Sequence, residues 1–600
     1  MCGIVSAFTY RGRRSLTAER LVEARDCMTS RGPDSEGLWV DDKKGIGLGH
    51  RRLSIIDLSP RGAQPMQNAS GRLRVVFNGE IYNYQVLRDR LEAKGYVFQS
   101  DSDTEVLLHL YDEKGRALVE DLRGMYAFAL WDAEKSGLLL ARDPYGIKPL
   151  YMADTGNSFW AASQVQALTR VPEIDTSRSP AGHVGFFLWG HVPDPHTFYR
   201  GIEALPAGHT CWVGPDGPET PRPFANVNGA LRQAETATNG MHSSNTSARE
   251  ALRAYLKESI AHHLIADVDV GLFLSAGRDS ATLTALAAED HDRLQTVTLG
   301  FEAFRGSLED EVPGAERLAE RYNTSHQTVW VTRQDFADTH DDLLAAMDQP
   351  TIDGVNSYFV SRAARQAGLK VAVSGVGGDE LFGGYPSFHE IPKLVSIVGS
   401  VPGAASIGRG FRAITAPVIE AFTSPKYAGV LEYGTDYGGA YLLRRGLYMP
   451  WELPSVLDPD LVREGWEALQ PLLRLEQTTH DLQDPHLRIT ALESCWYMRN
   501  QLLRDTDWAS MAHSLEVRTP LVDWTLLQQV GPLIHQHGLT KNDMARTPVP
   551  ALPDDLLERP KSGFTIPVRE WLLSDRPELS EARGYRGWAQ HVYQAYMSDG

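Results

Sequence analysis

Cysteine is scarce in this chain: 600 residues contain four, Cys2, Cys27, Cys211 and Cys495, widely spaced and without a C-x-x-C pair. That excludes a disulfide framework and points to a reducing compartment, the cytosol. Long apolar runs are lacking as well. The longest stretch free of Asp, Glu, Lys and Arg, Trp524 to Thr540, still contains Gln, His, Pro and Gly, and the N-terminus carries no signal-peptide core, so no membrane span is expected. Blocks of Lys and Arg are missing too, and the net charge is −18. A nucleic acid or an anionic membrane is therefore not the expected partner, and an anionic substrate must meet local cations or a metal.

The length exceeds what one hydrophobic core usually supports, so at least two domains are expected. Up to about residue 213, short β-type runs recur between turns: Ile4 to Phe8, Gly45 to His50, Leu73 to Phe77, Tyr126 to Trp131 and Leu138 to Ala141. Helical stretches there are fewer, chiefly Glu19 to Met28, Val86 to Lys94 and Thr104 to Lys114, which reads as a sheet-rich α+β domain. The segment 214–247, Pro/Gly-rich and then polar, reads as a linker. Beyond it, strands at Val268 to Leu274, Thr296 to Phe301, Thr328 to Val331 and Lys370 to Val373 alternate with helices, which predicts a parallel sheet in a second domain, 248–600. Ligands in such sheets sit beyond the carboxyl ends of the strands. From about Pro392 the pattern is mainly helical cover, completed by an irregular segment around Arg559 to Pro567.

Cys2 stands in the opening run Met1-Cys2-Gly3-Ile4-Val5. Removal of Met1 leaves a thiol and an α-amine on one residue, a nucleophile with its own base. Four further segments join it: Arg31-Gly32-Pro33-Asp34, His50-Arg51-Arg52-Leu53-Ser54-Ile55, Asn78-Gly79-Glu80-Ile81-Tyr82-Asn83 and Ser102-Asp103-Thr104-Glu105. Taken with Cys2, they resemble the class II glutamine amidotransferase domain, whose fold is the αββα sandwich of the N-terminal nucleophile (Ntn) hydrolases. The resemblance implies that Cys2 attacks the carboxamide of glutamine and that Asn78 and the Gly79 N–H form the oxyanion hole. It also implies that Arg52 pairs with the α-carboxylate, while Glu80 and Asp103 accept the α-ammonium.

A second constellation begins where Val268 to Leu274 runs into Ser275-Ala276-Gly277-Arg278-Asp279-Ser280. Small residues let backbone N–H groups approach phosphate, and a helix start adds a favourable dipole. This loop resembles the pyrophosphate loop of the N-type ATP pyrophosphatases, with Arg278 where an apolar residue is common. Lys370 to Val373 leads into Ser374-Gly375-Val376-Gly377-Gly378-Asp379-Glu380-Leu381-Phe382-Gly383-Gly384-Tyr385; Arg504-Asp505-Thr506-Asp507, Ser510 to Asp523 and Arg559-Pro560-Lys561-Ser562-Gly563-Phe564 follow. Together these resemble the glutamine-dependent asparagine synthetase family over nearly the whole chain.

That resemblance implies a glutamine-hydrolysing, AMP-forming ligase using ATP and Mg2+, in which an acceptor carboxylate is adenylated and ammonia displaces AMP. Asp279 and Asp379 are then the metal ligands. Ser275, Gly277, Ser280, Ser374, Gly375 and Lys561 join them around ATP and pyrophosphate, with Lys561 also catalytic, and Glu380 lies at the acceptor. Aspartate, giving asparagine, is the favoured acceptor, in a cytoplasmic enzyme and a possible homodimer. Val376 replaces the family's usual acid, which keeps open the amidation of another carboxylate, a specialised metabolite or envelope precursor. Closure of an internal amide, as in β-lactam synthetase, would not need the Cys2 set, and a plain amide hydrolase with a non-catalytic second domain would not need Asp279, Asp379 and Lys561.

Overall fold

The computed structural model describes residues 1–12, 16–237, 244–291, 293–422, 424–558, 567, 571 and 583–598. Short strands with alternating apolar side chains assemble two antiparallel sheets from the first 223 residues. In the first sheet Gly3–Thr9 lies between Ser158–Ala162 and Ile46–Arg52, with Ser35–Asp41 on one edge and Tyr151–Asp154 and Glu203–Ala204 on the other. The second sheet runs from Met66–Gln67 through Leu73–Ile81, Gly124–Asp132, Gly137–Arg142 and His209–Gly214 to Gly217–Pro218. Ile4, Phe8, Leu48, Val76, Trp131 and Leu140 fill the space between them. Helices Ala18–Asp26 and Val165–Thr169 cover the outer face of one sheet, and Tyr84–Glu92 and Thr104–Lys114 that of the other. This is the expected αββα sandwich of the Ntn-hydrolase type.

The second domain holds a five-stranded parallel sheet in the order Ser325–Val331, Gln295–Phe301, Val270–Phe273, Val371–Val373, Glu516–Arg518. Helices Arg278–Ala288, Val312–Arg321 and Val355–Gln366 connect the strands, and mainly helical structure follows. Its fifth strand is a surprise from sequence. It is only three residues long, two of them buried and charged, and it pairs with a strand more than 140 residues earlier.

Within 214–247, Gly217–Pro218 and Arg222–Pro223 pair with His209–Gly214, and Val227–Thr236 forms a helix against Trp524–His537. Val227, Ala230, Leu231 and Ala234 supply one apolar face, and Asn226 caps the helix by accepting from the N–H groups of Asn228 and Gly229. The polar segment that suggested a linker begins at Ala234, in the last turn of this helix, and 238–243 lie outside the described residues. Between the domains, Tyr82, Met125, Tyr145 and Ile147 share one apolar cluster with Leu381, Leu521, Val522 and half-buried Val376. No helix among the described residues is long and apolar enough to cross a membrane.

Candidate active sites

The first site is built at the head of the central strand Gly3–Thr9. Cys2 is buried, its backbone N–H donates to Asn78 Oδ1 at 2.9 Å, its carbonyl accepts from Arg31 Nε at 3.0 Å, and its Sγ lies 3.9 Å from the Leu53 carbonyl oxygen. Burial pushes the thiol above its ordinary value, against the lowering effect of the adjacent ammonium and Arg52, so a base close to the sulfur is needed for attack.

Asn78, on the neighbouring sheet, is wholly buried and its Nδ2 has no hydrogen-bond partner. A buried amide donor left unpaired is costly. Gly79 follows at φ +151°, where a Cβ would sit 2.0 Å from the Met125 carbonyl oxygen; only glycine fits there.

Arg52 is buried and donates to the carbonyl oxygens of Ser59 and Asp57, at 3.1 and 2.5 Å. Asp103 Oδ2 accepts from the Ile81 N–H at 2.9 Å, and burial raises its carboxyl to about 6. Glu80 is also buried, with Oε2 lacking a hydrogen bond and standing 3.4 Å from Arg518 Nη2 of the second domain. Burial, reinforced by Glu516, holds Glu80 well above the usual carboxylate range.

Met1 is seated at this junction, its ammonium on Glu516 Oε2 at 2.8 Å and its sulfur against Lys148. Burial alone would raise Glu516, but the ammonium, Arg518 and Lys148 outweigh it and bring the carboxyl to about 2.

The second site forms where two parallel strands end side by side. After Val270–Phe273, Ser275 Oγ lies 2.9 Å from Ser280 Oγ and accepts from the Gly277 N–H at 3.1 Å, while Asp279 occupies the first turn of helix Arg278–Ala288. After Val371–Val373, the Ser374 N–H donates to the Arg518 carbonyl at 2.8 Å and the chain turns into helix Gly378–Phe382, which carries Asp379 and Glu380. The loops touch: a Cβ on Gly378 would lie 2.4 Å from Asp279 Oδ1.

Asp279 and Asp379 converge on one cation, the Lys541 ammonium, which donates to Asp279 Oδ2 at 2.7 Å and also to Asp379 Oδ1. Burial lowers Lys541, but the two carboxylates prevail and raise it, keeping it charged. Sequence reading missed this lysine, whose only local signal is a helix start at Thr540 with no phosphate motif.

Carboxylates that reach one ammonium can also share a divalent cation. Among the described residues no cluster of three or more His, Cys, Asp or Glu side chains is grouped for a metal. Lys561 and the rest of its motif, 559–564, lie outside the described residues.

Ser275, Gly277, Asp279, Ser280, Ser374, Gly375, Val376, Asp379 and Glu380 all line one cavity of about 330 Å3. Arg278 donates to the Leu557 carbonyl at 2.7 Å. Glu380 is buried, accepts from Tyr385 Oη at 2.7 Å, and is raised to about 7 by burial and then by Asp379.

Comparison with known proteins agrees with this division. Residues 1–224 match the glutamine amidotransferase domain family and 251–584 the asparagine synthase family. The chain is 33% identical to a Mycobacterium tuberculosis protein provisionally named a glutamine-hydrolysing asparagine synthetase, over 92% of this chain and 85% of that relative. It is 29% identical to glutamine-hydrolysing asparagine synthetase 1 of Bacillus subtilis, over 100% of this chain and 91% of that one. With Escherichia coli asparagine synthetase B it shares 32% identity over 66% of each chain. An amidotransferase domain followed by an ATP-using synthetase domain makes this chain an enzyme of the glutamine-hydrolysing asparagine synthetase family.

Proposed function

We propose that the protein converts ATP, L-aspartate and L-glutamine to AMP, diphosphate, L-asparagine and L-glutamate, with residues 1–213 hydrolysing glutamine and 248–600 amidating the acceptor. The observation that carries this reading is the meeting at the Lys541 ammonium of Asp279 and Asp379, which both line one cavity at the carboxyl ends of two parallel strands.

In the first step the Cys2 amine, freed by removal of Met1, takes the thiol proton and the thiolate attacks the glutamine carboxamide. Asn78 Nδ2 and the Gly79 N–H stabilise the oxyanion. Arg52 holds the α-carboxylate, Glu80 and Asp103 the α-ammonium; ammonia departs and water releases glutamate from the thioester. In the second step the acceptor carboxylate attacks the α-phosphorus of ATP and pyrophosphate leaves, its charge met by Lys541 and, in our reading, Lys561, with Ser275, Ser280, Ser374 and backbone N–H groups at Gly277 and Gly375. Asp279 and Asp379 would hold Mg2+, which would supply charge neutralisation at the same leaving group. Ammonia then displaces AMP, with Glu380 beside the acyl group. The apolar seam containing Met125, Ile147 and Val376 is our route for ammonia, since bulk water would protonate it.

A second reading keeps this machinery and changes the acid. Val376 favours it, and so does the pairing of cations near the cavity: Lys541 with Asp279 and Asp379, and Arg445 with Glu493 at 2.9 Å. The test is glutamine-dependent release of AMP and diphosphate across a panel of carboxylic acids that includes aspartate. Glutamate production without AMP from any acid would contradict both readings.

A further inference from the structure

Arg52, which holds the α-carboxylate of glutamine in the proposed first step, is itself held by one loop, 53–62. Its acceptors among the described residues are three carbonyl oxygens of that loop, those of Ser59 at 3.1 Å, Ile56 at 3.4 Å and Asp57 at 2.5 Å. Carbonyl oxygens orient a guanidinium without neutralising it, so its charge is kept for an anion. The loop closes tightly on the side chain: a Cβ on Gly62 would lie 2.2 Å from Arg52 Nη2 and 2.9 Å from the Asp57 carbonyl oxygen. The same loop carries the Leu53 carbonyl beside Cys2 Sγ.

Asp57 is the strained member of this loop. Its φ is +52°, in the left-handed region that a residue with a Cβ enters at a cost. Such a conformation persists only where the surroundings over-determine it, and it recurs at ligand clamps. Here the surroundings do so from both domains. Within the first, the Asp57 carboxylate accepts from the Ser59 N–H at 3.1 Å, the Ser59 hydroxyl at 2.5 Å and the Asp101 N–H at 3.0 Å. From the second, Asp267 Oδ2 accepts from the Asp57 N–H at 2.8 Å, and the Asp267 N–H donates to the Ile55 carbonyl at 2.9 Å. Asp267 therefore grips the loop on both sides of Ile56. Its segment is fixed in turn by buried Arg518, whose Nη1 donates to the carbonyl oxygens of His263 and Ile265 at 2.9 and 2.6 Å, while Ile265, Ala266 and Val268 pack on the cluster that contains Leu53, Ile55 and Ile56.

We propose that Asp267, a residue of the amidation domain, is a positioning residue for glutamine: it holds the Asp57 peptide in its left-handed turn, so that the Ile56 and Asp57 carbonyls aim Arg52 at the α-carboxylate of the substrate. It acts through Arg52 and takes no part in the attack of Cys2. The proposal rests on the glutaminase half of the reading above and adds that glutamine affinity is set in part by the second domain. An interaction that orients a binding group equally in ground and transition states shows itself in KM and leaves kcat unchanged.

Asp267 is exposed, so Asp267→Ala removes an acceptor without opening a cavity in the core. The full-length variant is compared with wild type by the KM and kcat of glutamine hydrolysis and by AMP release with an ammonium salt in place of glutamine. Glutamine KM is expected to rise about tenfold, the size of one hydrogen bond to a charged group, with kcat and ammonium-dependent AMP release within about twofold of wild type. Asp267→Asn keeps an oxygen acceptor and should return KM to within about threefold of wild type. An unchanged KM in Asp267→Ala overturns the proposal, and so does a KM that stays equally high in Asp267→Asn. A parallel fall in kcat and in ammonium-dependent AMP release would show a general structural role and overturn it as well. Wild-type protein that releases AMP with ammonium but hydrolyses no glutamine would instead contradict the glutaminase reading on which the proposal rests.

Discussion

Arg31 and Asp507 grip each other across the domain boundary through two parallel hydrogen bonds, Nη1 to Oδ2 at 2.7 Å and Nη2 to Oδ1 at 3.1 Å. Both side chains are buried, and the same guanidinium spends its Nε on the Cys2 carbonyl. One residue therefore joins the second domain to the position of Cys2. Arg31→Ala leaves a buried carboxylate unpaired, a loss on the order of 3–5 kcal/mol, which denaturant titration should detect together with a fall in glutaminase activity. Arg31→Lys keeps the charge but not the fork, and an intermediate result is expected.

Cys2→Ala should abolish synthesis from glutamine and leave synthesis from an ammonium salt, because only the nitrogen source is lost. Parallel assays of one preparation with the two donors decide it. Equal loss of both would mean that the Cys2 group and the Asp279 group do not act as separate sites.

Lys541→Ala should suppress pyrophosphate release while glutamine hydrolysis continues. Removing one preorganised charge costs about 3 kcal/mol in a transition state, roughly a hundredfold in rate. An unchanged rate would show that the lysine only balances two aspartates in the free enzyme. Asp279→Asn should act on the same step, with a rate that no longer responds to Mg2+ as the wild type does.

Glu380 gives a pH signature. Its carboxyl is raised from 4.5 to about 7, by burial first and Asp379 next, so the folded protein holds a proton that the unfolded chain has already released. Stability attributable to this group is present below about 4.5, is lost as pH rises toward 7, and changes no further above it. The melting temperature of Glu380→Gln should accordingly gain on wild type between those values and then run parallel. A constant difference across that window would contradict the protonated state.

Much of this was legible in sequence because it is local. Strand–loop–helix units announce themselves by apolar runs ending in small residues, as at 275–280 and 374–385, and the resemblance of both loops to a known family gives them a role, whereas their contact across Gly378 and Asp279 is written in neither. What is non-local was not legible. Glu516–Arg518 carries two charges in three residues and reads as a motif, becoming a strand only because Lys370 to Val373 offers it an edge. Lys541 sits in no phosphate motif, and its role exists only because two distant loops converge on it. The helix Val227–Thr236 has only four buried apolar residues and lies inside a span that reads as linker from its Pro/Gly-rich start and polar end. Val376 was visible as a departure, but its consequence depends on the cavities around it.

Val376→Glu separates the acceptor readings. A buried new acid repels a second anionic substrate and is costly to desolvate. Turnover of another acceptor acid should fall at least tenfold, whereas aspartate turnover should hold or improve if Glu380 and its neighbours already serve that substrate. Steady-state rates with both acids check this, and an equal fall for both would show a general disruption of the loop.

The most direct test of two-site amidation is a nitrogen-tracing stoichiometry. The enzyme is supplied with ATP, amide-15N glutamine and the carboxylic acid it turns over, in excess unlabelled ammonium at a pH where little free ammonia is present, and products are followed by phosphorus NMR and mass spectrometry. The account predicts AMP, diphosphate and 15N-labelled amide in equal amounts, with glutamate at least matching them. ADP and phosphate in place of AMP and diphosphate, or glutamate released with no labelled amide from any acid, would contradict it.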